Sequence, residues 1–297
     1  MTAQTAVDLL LGGVSLGGIY ALVAFALSLS LATTHVLNVA HGTFMVVGAA
    51  LATLLVPVSG LGWPLAIPVL VVSFVLLALA FELAFVRPFA ARSPEQILVG
   101  SILVTFGFAL AVEALLGYYW ARLVDPQPSF SLTFPLARVT VGGFAVSGTR
   151  LLILLVATGA IAAFHLFLRR TPLGRAVRAV AQNYAGAVIL GINPRRVSLA
   201  IYLAGILATA GGGVLLALAI PLEPYSGLQL TLVAMTIVVI GGVGSLPGAL
   251  LGGGLLGMAE VVTAYALGSV WAPVVSLLVF FAVLVVRPEG LWGRRGA

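Results

Sequence analysis

Apolar stretches of spanning length follow one another along almost the whole chain, separated by short polar segments. A helix that crosses a bilayer needs about 20 mostly apolar residues. Nine stretches approach this length, and they lie at residues 9–31, 36–56, 64–86, 95–118, 150–168, 197–220, 228–245, 247–267 and 271–287. The pattern predicts an all-α, polytopic helical membrane protein with eight or nine transmembrane helices. Because only Thr33–His35 separates the first two stretches, a broken or re-entrant element is expected there.

Composition agrees with this class and excludes several kinds of site. Charged residues make up 7% of the chain and hydrophobic residues 62%, whereas soluble domains carry about 25% charged residues. The chain has no cysteine, which excludes disulfides and thiolate metal sites, and no metal site is expected. All fourteen basic residues are arginine. Because an ordinary P-loop needs a lysine, we expect no cofactor on this chain and assign any ATP and Mg²⁺ to partner subunits.

The placement of the arginines predicts the two sides of the membrane. Six of the fourteen lie between Arg169 and Arg196, which indicates a cytoplasmic loop at 169–196. Residues 119–149 then form an extracytoplasmic loop, where alternation around Gly142-Gly143 predicts a small β-hairpin. Nine spans place the N-terminus outside and eight place it inside. Topology and inner-leaflet lipid account for the basic charge, so no nucleic-acid partner is expected.

The cytoplasmic loop has the pattern of one or two short helices. Thr171-Pro172 is typical of a helix start, and Gly191 of a helix end. Asn193-Pro194 is expected to cap the next span. Apolar residues recur at three- and four-residue spacing between these signals, at Val177, Val180, Ala181, Tyr184 and Val188. Such a segment either rests on lipid headgroups or docks into a protein groove, and its small residues favour docking.

Small residues recur at four-residue spacing near the end of the chain. Gly244, Gly248 and Gly252 form one such series, and Gly253 and Gly257 repeat the interval. In lipid, small residues at this spacing let two helices approach closely. We therefore interpret this run as a helix-packing seam.

Gly13-Val14-Ser15-Leu16-Gly17 matches the nucleophile motif of serine hydrolases. An intramembrane serine protease that pairs Ser15 with His41 is the enzyme hypothesis that this match raises. The motif requires a strand–turn–helix elbow, however, and here it lies inside an apolar helical stretch. Small residues at a helix seam explain the match without chemistry.

Four segments of the sequence resemble one known family, and the three that precede the tail occur in the family's order along the chain. Residues 174–182 and 187–192 resemble the cytoplasmic coupling loop of branched-chain amino acid ABC importer permeases of the LivH type. Residues 37–44, which contain Asn38-Val39-Ala40-His41-Gly42, resemble that family's N-terminal element. Residues 241–249 resemble its glycine-rich stretch, and 287–293 its ending. The loop lacks the Glu-Ala-Ala opening found in many ABC importer permeases.

The resemblance implies a transport subunit that works with several partners. These are a second related permease, two ATPase subunits that bind ATP and Mg²⁺, a periplasmic substrate-binding protein and membrane lipid. It also implies that the ATPase docks on the loop at 169–196. The candidate contact residues are Arg175, Arg178, Gln182, Asn183 and Gly191.

Polar groups inside the spans are candidates for a translocation pathway, and we select Asn38, His41 and Glu260. Asn38 and His41 share one helical face, where Asn38 either caps the second element beside the pathway or forms a capped turn with a structural histidine. Glu260 either faces the pathway or holds two helices together as a hydrogen-bonded carboxyl. Glu113 is expected to be solvated, and Glu82 to lie at the cytoplasmic interface.

We therefore expect residues 1–297 to form a single permease domain in a bacterial inner membrane. It would translocate branched-chain amino acids, or a related small polar solute, without catalysing a covalent change. An ion-coupled secondary transporter is the alternative, since Glu260, Glu113 and His41 are groups that couple ions in such carriers.

Overall fold

The computed structural model describes residues 2–34, 36–89 and 94–286. Its α-helices are α1 (Ala3–Thr34), α2 (His41–Thr53), α3 (Trp63–Phe81), α4 (Pro94–Leu123), α5 (Gly148–Arg170), α6 (Pro172–Gln182), α7 (Tyr184–Ile189), α8 (Pro194–Ala219), α9 (Gly227–Gly241), α10 (Leu246–Ala266) and α11 (Ala272–Val286). Shorter turns extend α2 over Leu54–Val58, extend α3 over Glu82–Val86 and Arg87–Phe89, and precede α11 at Ser269–Trp271. The strands are β1 (Val139–Val141) and β2 (Phe144–Val146). His35, Arg92 and the 287–293 motif lie outside the described residues.

The helices confirm the prediction of an all-α polytopic membrane protein. Within the described ranges, seven helical segments are long and apolar enough to cross a bilayer. The helices α9 and α11 are also apolar but have 15 residues each. Together these nine correspond one to one with the nine apolar stretches of the sequence.

The two ends of the bundle are defined by contacts at the start of α1. The Gln4 side chain donates to the Ala145 carbonyl over 2.9 Å and accepts from the Ala145 N–H over 3.2 Å. Next to this contact, Asp8 and Arg150 form an ion pair at 3.3 Å. The N-terminus therefore lies at the same end as β2, and α5 separates this end from the 169–196 loop. This arrangement agrees with nine crossings and an N-terminus on the outer side.

The outer loop contains the hairpin that the sequence predicts. Val139 pairs with Val146 and Val141 with Phe144 in antiparallel register. Gly142 and Gly143 have φ angles of 57° and 85°, which glycine adopts without strain in a two-residue hairpin turn. The prediction is confirmed, including the position of the turn.

Glycines bring α1 and α10 together with backbone against backbone. A side-chain carbon on Gly253 would lie 2.7 Å from both the Gly17 oxygen and the Ala21 nitrogen. Gly257 lies against the backbone of Gly13 and Gly17 in the same way. Because backbone atoms cannot move aside, these positions accept no side chain without a helix shift.

A second seam joins α10 to α9. Gly248 lies so close to Gly241 that a side chain on either residue would overlap the other's backbone. One turn further on, Gly252 lies against Ile237. The predicted packing role of Gly248 and Gly252 is therefore confirmed.

The packing role predicted for Gly244 was wrong. Gly244 lies in the turn between α9 and α10, with a φ angle of 76°. Its N–H donates to the Ser28 hydroxyl on α1. Glycine is favoured here because the backbone adopts the left-handed conformation. The four-residue spacing of glycines in the sequence does not reveal this.

Candidate functional site

The helix α2 begins inside the bundle rather than at its surface. His41 Nε2 lies 3.0 Å from the Val23 carbonyl oxygen of α1 and 2.9 Å from Thr209 Oγ1 of α8. Val23 precedes the end of α1 by eleven residues, about 16 Å at the helical rise of 1.5 Å per residue. The chain thus returns from the inner end of α1 through residues 36–40 before α2 starts. This return segment confirms the predicted broken element between the first two stretches.

The hydrogen bonds of His41 determine which ring nitrogen carries a proton. The Thr209 hydroxyl donates to the Gly205 carbonyl over 2.8 Å, so its oxygen is an acceptor for the imidazole. The Val23 carbonyl is an acceptor as well. Nε2 must therefore be the N–H of the ring, and His41 joins three helices through that single atom.

Threonines satisfy the backbone of the return segment. Thr105 on α4 accepts from the Val39 N–H over 3.0 Å. Thr231 on α9 accepts from the Gly42 N–H and donates to the Val39 carbonyl, each over 2.8 Å. Irregular backbone is tolerated at membrane depth only when protein groups pair with it in this way.

The side chain of Asn38 closes a turn within the same segment. Its Oδ1 accepts from the Ala40 N–H over 3.0 Å, while Ala40 itself is the residue that precedes α2. The prediction that Asn38 and His41 share a helical face was wrong, because Asn38 lies outside the helix. The second interpretation given for these residues, a capped turn with a structural histidine, agrees with the hydrogen bonds of Asn38 and His41.

Glu113 meets the N-termini of two helices. Thr43 Oγ1, in the first turn of α2, donates to Glu113 Oε1 over 2.9 Å. The first residue of α9, Gly227, is packed so closely against the same oxygen that a side chain there would overlap it. The positive ends of α2 and α9 thus flank one carboxyl group. The expectation that Glu113 is solvated was wrong, since only 5% of the residue is exposed.

We call this cluster of Asn38, His41, Thr43, Glu113 and Thr231 the buried junction. Sequence reasoning selected Asn38 and His41 for the pathway and named Glu113 only for the ion-coupled alternative. Thr43 and Thr231 are lone threonines inside apolar stretches, and nothing in the pattern shows which helix each one faces.

Glu260 on α10 forms hydrogen bonds to α1 and to α11. Tyr20 on α1 donates to Glu260 Oε2 over 2.7 Å, and Ser276 on α11 donates to Oε1 over 2.6 Å. Glu260 is therefore a hydrogen-bonded carboxyl that holds helices together, as one of the two alternatives stated. It holds three helices rather than two. Assignment of Asn38, His41 and Glu260 to the translocation pathway stays a prediction.

The serine hydrolase motif lies in the middle of α1. Ser15 Oγ donates to the Arg150 carbonyl oxygen over 3.3 Å, while His41 bonds to Val23, two helical turns away from Ser15. Gly13 and Gly17 pack on α10. The protease hypothesis was wrong, and the helix-seam interpretation is confirmed.

The cytoplasmic loop forms two helices with a defined end at each boundary. Thr171 Oγ1 accepts from the Gly174 N–H over 2.9 Å, which caps α6 as predicted. Asn183 ends α6 and caps α7 by accepting from the Gly186 N–H over 2.8 Å. Asn193 then caps α8 through the Arg195 N–H at 3.0 Å.

The predicted helix end at Gly191 is confirmed in detail. Gly191 has a φ angle of 81°. Its N–H donates to the Val188 carbonyl over 2.9 Å, and the Ile192 N–H donates to the Ala187 carbonyl over 3.0 Å. These paired bonds are the Schellman arrangement, which fixes the direction in which the chain leaves α7.

The loop divides its apolar residues between two surfaces. Val177 and Val180 are buried in a cluster with Phe164 and Ile201 of the bundle, so the apolar face of α6 docks on its own chain. At the end of α7, Ile189 and Leu190 are 84% and 80% exposed. We call these last two residues the loop tip.

The residues selected as ATPase contacts all lie on the exposed side of the loop. They are Arg175, Arg178, Gln182, Asn183 and Gly191. The sequence did not single out the loop tip, because Ile189 and Leu190 are off the helical face that periodicity traced.

Comparison with known proteins assigns the chain to a family. The family model described as "Branched-chain amino acid transport system / permease component" matches residues 9–287. This chain belongs to that family. The permease is therefore a multi-pass inner-membrane protein with a role in transport.

Curated relatives cover nearly the full length of the permease. The high-affinity branched-chain amino acid transport system permease protein LivH of Escherichia coli K12 is 29% identical, over 95% of this chain and 94% of its own. BraD of Pseudomonas aeruginosa, described in the same words, is 27% identical over 96% and 95%. A probable LivH of Methanocaldococcus jannaschii is 28% identical over 95% and 91%. No solved structure matches.

Proposed function

We propose that this permease is the membrane subunit of an ATP-binding-cassette importer for branched-chain amino acids. Two separate ATPase subunits, which bind ATP and Mg²⁺, would dock on the 169–196 loop. A second related permease would complete the membrane part, and a periplasmic binding protein would deliver the solute. Membership of a branched-chain amino acid permease family supports this assignment.

The observation that carries the coupling role is the exposed loop tip on a rigid support. α6 is fixed to the bundle through Val177 and Val180, and the caps at Thr171, Asn183 and Gly191 set its geometry. Movement of an attached partner would therefore be transmitted to α5 and α8 rather than absorbed in the loop. Two adjacent, exposed aliphatic side chains at the end of such a support suit an apolar recess in a partner protein.

The first experiment compares Ile189→Asp with Val139→Asp, a matched change on the outer hairpin where Val139 is 48% exposed. A buried charge at the centre of an interface costs about 2 kcal/mol or more. We expect Ile189→Asp to reduce co-purification of the ATPase subunits and ATP-driven leucine uptake about 10- to 30-fold. Val139→Asp should change neither.

Two results would contradict the proposal. One is a wild-type chain that purifies without any ATPase and whose uptake collapses when the ion gradient is dissipated, which would favour an ion-coupled carrier. The other is normal ATPase recovery and uptake with Ile189→Asp, which would remove the loop tip from the interface.

A further inference from the structure

A cavity of about 910 Å³ opens at the cytoplasmic end of the bundle, outside the buried junction. Its wall is formed by the end of α1, the end of α3, the start of α4 and the α7–α8 connection. Pockets of roughly 300–1,000 Å³ are typical of small-molecule sites. The 169–196 loop contributes Tyr184 and Asn193–Arg196 to this wall, whereas the loop tip does not line the cavity.

One side of the cavity is negative. Glu82 lines it and is only 7% exposed. Among the described residues, no donor forms a hydrogen bond with the Glu82 carboxylate, and no cation lies within ion-pair distance of it. Thr33 and Thr34, the last two residues of α1, line the same side. The free carbonyl groups and the negative dipole end of α1 therefore add to the charge of Glu82.

The other side is positive. Arg195 and Arg196, in the first turn of α8, line the cavity there, while Arg87 lines it five residues after Glu82 and is close enough to interact electrostatically with that carboxylate. In the described part of the chain, the only ion pair is Asp8–Arg150, so none of these three guanidinium groups has a carboxylate within 4 Å. The positive dipole end of α8 adds to their charge. Arginine is suited to bind a carboxylate through two parallel hydrogen bonds.

Aliphatic side chains, Leu79, Leu83 and Leu199 among them, form much of the remaining wall. A ligand that satisfies all three surfaces carries an ammonium group, a carboxylate and a branched hydrocarbon side chain. A purely anionic ligand would bring a second negative charge beside the Glu82 carboxylate, which is unfavourable.

We propose that this cavity is a cytoplasmic-side binding site for a free aliphatic α-amino acid. The ammonium group lies at Glu82 and the end of α1, the carboxylate at Arg195 and Arg196, and the side chain on the leucines. The choice of amino acid rests in part on the proposed transport function, but the charge arrangement stands without it. The site binds the solute on the side of the membrane where it is released.

The test measures binding of radiolabelled leucine to the full chain, with whatever subunits co-purify, in phosphatidylcholine nanodiscs without a binding protein or ATP. We expect saturable binding that 4-methylpentanoate and 3-methylbutylamine, which lack the ammonium and the carboxylate respectively, displace at least tenfold less well than leucine does. This comparison uses the wild-type chain only, so it does not depend on the folding of a variant.

Charge-removing variants then locate the site. Glu82→Gln and Arg195→Gln should each weaken leucine binding at least tenfold, and Glu82→Gln should abolish the preference for leucine over 4-methylpentanoate. Glu223→Gln in the α8–α9 connection and Arg138→Gln in the outer loop are matched changes at exposed positions, and both variants should bind leucine normally. Because Arg195 is exposed, its variant is expected to fold even if Glu82→Gln does not.

Unchanged leucine binding in Arg195→Gln, or no saturable binding to the wild-type chain, would overturn the proposal. Phosphatidylethanolamine that co-purifies with the wild type and is lost in Glu82→Gln, without leucine binding, would also overturn it and assign the site to a lipid headgroup. Failure of the coupling proposal is a separate result, since ATPase co-purification is scored on the same preparation and leucine binding requires no ATPase.

Discussion

At the residue scale, His41 determines where α2 begins. Its Nε2–H donates to acceptors on α1 and α8. The first residue of α2 is therefore anchored to two neighbouring helices at the depth of Val23. A helix that starts inside the bundle leaves free N–H groups at its first turn. Thr231 accepts from one of them, the Gly42 N–H, and Glu113 accepts from the Thr43 hydroxyl in the same turn. These bonds explain why buried hydroxyl groups gather in one place.

Replacement of His41 tests this anchoring. The side-chain amide of His41→Gln can donate from the position of Nε2, whereas His41→Leu leaves both acceptors without their donor. Loss of a buried hydrogen bond typically costs about 1–3 kcal/mol. We expect His41→Leu to lower the free energy of unfolding by this amount and His41→Gln to lower it by less, as measured by denaturant titration in detergent. Equal stability of the two variants would contradict the anchoring role.

At the scale of elements, the α1–α10 seam depends on which side of α10 each glycine occupies. Gly253 and Gly254 are neighbours in sequence but differ in surroundings. Gly253 lies against the backbone of α1, while no heavy atom lies within 4 Å of the position that a side chain on Gly254 would occupy. Substitutions at these two neighbouring positions can therefore be compared to test whether α1 and α10 are in backbone contact.

We expect opposite effects from alanine at these two positions. Gly253→Ala forces the helices apart, and overpacking of this kind costs about 1–3 kcal/mol. Gly254→Ala adds no contact and improves helix propensity, a gain of up to about 1 kcal/mol. The measurement is the free energy of unfolding of each variant in detergent. A Gly253→Ala variant as stable as wild type would show that α1 and α10 are not in backbone contact.

Much of this level of structure could be predicted from the sequence. Nine apolar stretches, the Gly142-Gly143 turn and the caps at Thr171, Gly191 and Asn193 are local features, and each was found where expected. The return segment at 36–40 was anticipated only as a break, because its depth is set by Thr105 and Thr231 on distant helices. The role of Gly244 was missed because spacing does not distinguish a helical glycine from one with positive φ.

At the scale of the whole molecule, the contacts of Gln4 place the start of α1 at the hairpin end of the bundle. The loop tip at Ile189 lies at the opposite end, which the arginines of the 169–196 loop predict to be cytoplasmic. The sequence left the side of the N-terminus open, because two of the nine crossings are made by short helices whose number was ambiguous. The contact between Gln4 and Ala145 puts the N-terminus at the same end as the predicted outer loop.

The absence of cysteine makes this orientation directly measurable, since the wild-type chain has no background labelling. A membrane-impermeant maleimide added from outside should label Thr2→Cys and Thr140→Cys but not Ile189→Cys. In inverted vesicles the pattern should reverse. Labelling of Thr2→Cys only from the cytoplasmic side would contradict the nine-crossing topology.

Prediction of the candidate sites was less complete, and for a physical reason. Glu260 was recognised as a charge inside a span, but its partner Tyr20 is 240 residues away in sequence. Glu82 was placed at the cytoplasmic interface, yet its burial in a cavity with Arg195 depends on how α3 packs beside α8. Long-range juxtapositions of this kind leave no periodic trace in a single sequence.

The backbone contact between α1 and α10 also has a mechanical consequence. Where Gly17 and Gly253 meet, the helices touch through backbone atoms. A small slide of one helix along the other therefore displaces no side chain at this point. Small sliding movements of packed helices are the shear type of conformational change. Because Tyr20 and Glu260 bond across the same pair of helices, their hydrogen bond sets a limit to that displacement. The glycine seam thus permits a small slide of α1 along α10, and the hydrogen bond between Tyr20 and Glu260 limits it.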